Sequence, residues 1–230
     1  KNMIGNCSAD VVSSTVPCSN KWMIGTVNSF FIGFIATFIA TTLGTLAALG
    51  LSRPHMPYKG LIMAILISPM IVPLIITAAG MFFFYARINL VYSFTGIILA
   101  HVALATPFVV ITVTATLVGF DMNMVKASQS LGARPVRTFF KVIMPLILPG
   151  VISGALFAFI TSFDEVVIVM FMASLDQLTI PKQMWAGIRQ EISPVILCMA
   201  TCLVVLSILL LTTVELLRRR SEKLRGITSR

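Results

Sequence analysis

The sequence predicts an all-α polytopic membrane protein with about five transmembrane helices. Uncharged apolar runs extend from Trp22 to Ser52, Gly60 to Tyr85 and Ile88 to Phe120. A membrane span needs about 20 such residues. The 230-residue chain is 57% hydrophobic and only 11% charged, whereas soluble domains carry roughly 25% charged residues. Its net charge of +9 gathers at the ends of the apolar runs, as membrane topology and lipid headgroups require. No Arg–aromatic platform for bases is present, so a nucleic-acid partner is excluded.

Residues 1–21 form a polar segment, expected in the periplasm. It holds Cys7 and Cys18, whose spacing leaves pairing open. The transmembrane domain is expected over 22–217, followed by a basic cytoplasmic tail over 218–230. Within the domain the spans fall at about 24–51, 60–85, 94–118, 148–174 and 194–214. The first carries Gly33, Gly44 and Gly50 among Ala and Thr, which favours close helix packing. The second contains Pro69 and Pro73 and should kink. The third contains His101 and Pro107. The residue type at position 101 favours a hydrogen-bonded packing role over a ligand or proton relay. Phe82, Phe83, Phe84 and Tyr85 close the second span as an interfacial aromatic belt. In the fifth span Cys198 and Cys202 share a helical face as small packing residues.

Between the third and fourth spans lies the longest charge-bearing insert, 119–147. Asp121 can cap a short helix from Met122, and Gly132 can end it. Pro135 suits the first position of a second helix. There Val136, Phe139, Phe140 and Ile143 make one apolar stripe, with Arg134, Arg137 and Lys141 on the other side. Such a helix lies on a membrane surface or between membrane and protein.

Asp164 and Glu165 interrupt the fourth apolar run. A carboxylate at membrane depth costs at least about 2.5 kcal/mol. Adjacent helix positions diverge by about 100°, so one carboxylate is expected to face a pathway and the other to find a donor or a partner subunit. A carboxylate in a pathway suits a cationic solute.

The positive-inside rule orients the chain. With the C-terminus in the cytoplasm, twelve cations lie inside: Arg53, Lys59, four in the 119–147 insert and six in the tail. Five lie outside. No H-E-x-x-H and no G-x-x-x-x-G-K-[ST] occurs, and Gly150–Gly154 misses a G-x-S-x-G elbow by one position. The chain therefore reads as a non-enzyme without a P-loop or metal site of its own.

The insert resembles the EAA loop of ATP-binding-cassette importer permeases. That pattern runs Glu-Ala-Ala, three residues, Gly, nine residues, Ile-x-Leu-Pro. The match here is Lys126-Ala127-Ser128, Gly132 and Val142-Ile143-Met144-Pro145, with Lys replacing Glu. The resemblance runs from about Asn28 onward and is closest to the second permease subunit of spermidine/putrescine importers. It implies an ATPase-coupling loop of Lys126, Ala127, Ser128, Gly132, Ala133, Arg134, Pro135, Arg137 and Pro145. It implies a substrate pathway or gate at Asp164 and Glu165, since Ser162–Val167 resembles the acid-containing stretch of polyamine permeases. The implied setting is the bacterial inner membrane. The implied partners are a cytoplasmic ATPase dimer that binds ATP and Mg, a second permease subunit in a heterodimer, and a periplasmic solute-binding protein, with lipid around them. The pattern has six spans, of which the first is not in this sequence, either because the chain lacks it or because the sequence is a fragment. Thiamine, ferric ion or an aminophosphonate are alternative cargoes. A gradient-driven transporter or channel using Asp164 and His101 as proton relay is the alternative mechanism.

Overall fold

The computed structural model describes residues 18–53, 56–118, 123–190 and 194–224. Cys7 and the Asp121 cap lie outside them. Among the described residues the chain is helical, without strands. The long helices are α1 (Cys18–Leu51), α4 (Phe94–Val118), α7 (Met144–Phe163) and α10 (Pro194–Leu224). Between α1 and α4 stand α2 (Lys59–Ile71) and α3 (Leu74–Arg87). The insert before α7 folds as α5 (Asn123–Ser130), α6 (Pro135–Thr138) and a π-helical turn (Phe139–Ile143). Beyond α7 come α8 (Val167–Met172), a 3-10 turn (Leu175–Gln177) and α9 (Ile180–Gln190). Among the described residues four helices are long and apolar enough to cross a membrane, or five when α2 and α3 are taken as one broken span.

The core is α1, α4 and α7 packed side by side. Along α1, Ile32, Ala36, Ala40 and Ala48 are buried four or eight residues apart, a single helical face. Val109 of α4 is fully buried between two glycines. A Cβ on Gly44 of α1 would come within 2.6 Å of the Val109 Cβ, and one on Gly154 of α7 within 3.0 Å of its Cα. Small residues let the backbones approach where apolar burial gives no net drive in lipid. The other faces stay open: Phe34, Phe38 and Leu46 of α1 and Leu197, Ile208 and Leu209 of α10 are exposed.

The second span bends, as its prolines predict, and the fourth departs from the continuous helix expected. The run over 60–85 turns by 103° between α2 and α3. Pro73 has no N–H and drives the residue before it out of the helical region, and Val72 is extended at φ −71°, ψ 136°. The run over 148–174 stops at Phe163 and restarts at Val167. The carboxylate-bearing residues Asp164 and Glu165 form the break itself.

Candidate functional site

One end of α7 carries the elbow formed by α5 and α6. Gly132 has φ +78°, a left-handed conformation that glycine adopts without a Cβ clash. Its N–H donates to Gln129 O at 2.9 Å, and the Ala133 N–H donates to Ser128 O at 3.2 Å. Together these bonds make the paired closure of a Schellman motif. Arg134 is extended before α6, with Pro135 at its first turn. Thr138 is buried and its hydroxyl lies 3.0 Å from that of Ser128, joining α6 to α5.

Pro145 cannot donate to the carbonyl four residues back. The ladder loosens there, and the Met144 N–H reaches Phe139 O instead, a π turn of the kind common at functional sites. The apolar stripe expected over 136–143 therefore does not form a separate surface helix. It runs without interruption into α7, so Pro135–Phe163 is one apolar rod. Val136 and Phe140 remain 69% and 63% exposed, and Leu131 89%. Lys126, Ala127, Arg134, Arg137 and Lys141 are exposed around them, while Ser128 and Ala133 are half-buried. No Asp or Glu occurs between 123 and 147. The elbow thus combines exposed apolar side chains with four cations.

The other end of α7 carries the carboxylates. At 1.5 Å per residue, the 20 residues of α7 separate it from the elbow by about 30 Å. The structure brings the elbow residues together and keeps Asp164 and Glu165 apart from them. Asp164 caps α7, its N–H donating to Ile160 O at 3.0 Å. Its exposed side chain faces a cleft of about 330 Å³ between α7 and α10, beside Phe163, Leu203 and Ser207. Glu165 is buried, and its Oε1 accepts the Ile168 N–H at 3.0 Å. The adjacent acids therefore have different surroundings, one open to a cleft and one capping α8. Behind them His101 of α4 is buried with Nδ1 2.8 Å from the Ser162 hydroxyl.

Several residues that hold this end were not singled out by sequence reasoning. Asn28 of α1 donates to Asp176 O and Leu178 O at 2.9 and 3.0 Å, and Ser29 accepts from the Ile180 N–H at 2.9 Å. Gln177 donates to Tyr92 O at 2.7 Å, and the Tyr92 N–H donates to Met172 O at 3.0 Å. Lys182 of α9 donates to Val169 O and Ala173 O at the far end of α8. Burial lowers its pKa below the ordinary lysine value. The signals available were the lone amide of Asn28 in an apolar run and the Ser174-x-x-Gln177 spacing of a capping box.

A bundle of apolar helices with an exposed cationic elbow at one end and a carboxylate-bearing helix break at the other defines a membrane transport component. Residues 40–223 match the binding-protein-dependent transport system inner membrane component family, and the chain belongs to it. It is the permease subunit of an ATP-binding-cassette importer, a non-enzymatic inner-membrane component whose ATPase is a separate subunit. It is 31% identical over 196 residues to the spermidine/putrescine transport system permease protein PotC of Haemophilus influenzae, covering 85% of this chain and 76% of that protein. It is likewise 31% identical to the PotC of Escherichia coli K12, covering 83% and 72%. The putrescine transport system permease protein PotI of E. coli K12 is 29% identical, covering 75% and 64%. The MetNI methionine ABC transporter in an inward-facing conformation shares the fold at a TM-score of 0.63 and 19% identity, covering 94% of this chain and all of that one.

Proposed function

We propose that this permease carries a small polycation, a polyamine such as spermidine or putrescine, into the cytoplasm by alternating access. The observation that carries the cargo reading is the exposed Asp164 carboxylate at the α7–α8 break, facing a cleft beside Phe163. An ammonium pairs with such a carboxylate, and an aromatic face accepts a cation and its methylene stem. The names of the 31%-identical relatives support the same cargo. Broken helices near a membrane-embedded site are a recurring device for holding ions and charged solutes.

The elbow then seats in a cytoplasmic ATPase that binds ATP and Mg. Leu131, Val136 and Phe140 enter an apolar groove, and Lys126, Arg134 and Arg137 ring it. The α6–α7 rod passes the ATPase movement to the Asp164 break without an intervening hinge loop. This places the elbow and the basic C-terminal tail in the cytoplasm, in accord with the cation asymmetry. The α8–α9 end then faces the periplasm, where a solute-binding protein delivers cargo. A second permease subunit covers the open faces of α1 and α10.

The test is uptake into proteoliposomes holding the importer, its binding protein and ATP. Radiolabelled spermidine should accumulate, and unlabelled putrescine should compete while thiamine does not. Uptake of labelled thiamine, ferric ion or an aminophosphonate, with spermidine not taken up, would reassign the cargo.

A further inference from the structure

The helix α8 has only six residues, too few to persist without tertiary support. A charged side chain holds each end. Glu165 caps the N-terminal end through the Ile168 N–H. At the other end the Lys182 ammonium donates to Val169 O at 3.2 Å and Ala173 O at 3.0 Å. The signs match the helix dipole, with the anion at the positive end and the cation at the negative end. Between them Ile168, Val169 and Met172 are buried. Lys182 also lines a cleft of about 390 Å³ together with Met170, Trp185, Ala186 and Arg189. Its ammonium nonetheless reaches the α8 carbonyls, and the side chain remains half-buried.

The same helix that supplies Lys182 presents a surface. Trp185 and Ile188 of α9 are 50% and 54% exposed, and Arg189 is exposed beside them. Any displacement of α9 moves the ammonium relative to α8. We infer that Lys182 is a positioning residue that links the outer surface of α9, through α8, to the Asp164–Glu165 break. The inference rests on the proposed reading, in which this end faces the binding protein and Asp164 faces the solute. When α9 shifts, the α8 carbonyls lose their charged donor. The helix then has freedom to rotate about the Glu165 cap, and Asp164 changes its presentation to the cleft. Lys182 touches neither solute nor nucleotide, so its replacement should alter the response to the binding protein and spare basal turnover.

The experiment uses the complete importer in proteoliposomes. ATP hydrolysis is read with and without spermidine-loaded binding protein, for the parent, Lys182→Met and Lys182→Arg. Lys182→Met should keep basal hydrolysis and lose at least about fivefold in stimulation, the lower end of usual coupling between sites. Lys182→Arg, which keeps the charge and donors, should restore it. Undiminished stimulation in Lys182→Met overturns the inference, as does loss in both variants, because a charge-conserving change should be tolerated. If Lys182→Met does not assemble, Lys182→Gln is scored by the same ratio, with reduced stimulation expected and full stimulation counting against the link. A parent importer that shows no stimulation at all overturns the proposed coupling itself, which separates the two failures.

Discussion

The adjacent carboxylates provide the sharpest contrast. Glu165 is 7% exposed and accepts one backbone N–H at 3.0 Å. A hydrogen bond to a charged group contributes about 1.5–3 kcal/mol, and neutral ones about half that. Glu165→Ala should therefore cost the assembled permease about 1.5–3 kcal/mol, and Glu165→Gln about half as much, because the amide oxygen still accepts. The Asp164 side chain is exposed and, among the described residues, has no such bond, so Asp164→Asn should change stability by less than about 0.5 kcal/mol. Its cost should appear in solute recognition. A charge-assisted contact to an ammonium is worth about 1.5–3 kcal/mol, and each 1.4 kcal/mol is tenfold. The apparent KM for spermidine should therefore rise between about tenfold and a hundredfold. Thermal unfolding of the purified complex and initial rates of spermidine uptake read the two effects. Equal destabilisation by both substitutions, or an unchanged KM in Asp164→Asn, would refute the division of roles.

Four further substitutions probe the scaffold. Gly154→Leu drives a side chain into Thr112 and the Val109 backbone. It should cost at least about 1–3 kcal/mol and broaden the size-exclusion profile, whereas Gly80→Ala, with nothing within 4 Å of its Cβ, should be silent in the same assay. Gly132→Asp meets no neighbour but forces an L residue to φ +78° at about 1–2 kcal/mol. It also adds an anion to the cationic elbow, so ATP hydrolysis should uncouple from uptake while the permease still inserts. Thr138→Val removes the Ser128 contact at about 0.5–1.5 kcal/mol and should weaken ATPase co-purification without affecting binding-protein docking.

Much of the elbow was legible because its signals are local. Gly132 needs a positive φ and Pro135 needs a first turn, and both needs are written in residue type. What was not legible depends on tertiary packing. The apolar stripe over Val136–Ile143 suggested a separate surface helix. Only the missing N–H of Pro145, read together with the π turn at Phe139–Ile143, shows why the segment continues into α7. The bend at Val72–Pro73 follows from proline chemistry, yet its 103° depends on how α2 and α3 pack. Hydropathy alone singled out Asp164 and Glu165, but within a span expected to run unbroken over 148–174; the helix break there came from the structure. A division between the two was expected, but that Asp164 would be the exposed one and Glu165 the cap of α8 was not predictable, because periodicity assumes a helix where the chain has none. Lys182 left no local trace, since its partners are backbone carbonyls on another helix.

ATP hydrolysis in a separate subunit drives the movement of these helices, whose sequence carries no P-loop. The most direct measurement is spermidine accumulation in proteoliposomes of the complete importer, with the internal ATP replaced by a non-hydrolysable analogue or a protonophore added. Accumulation should stop with the analogue and continue with the protonophore. Uptake that survives the analogue and collapses with the protonophore would contradict it.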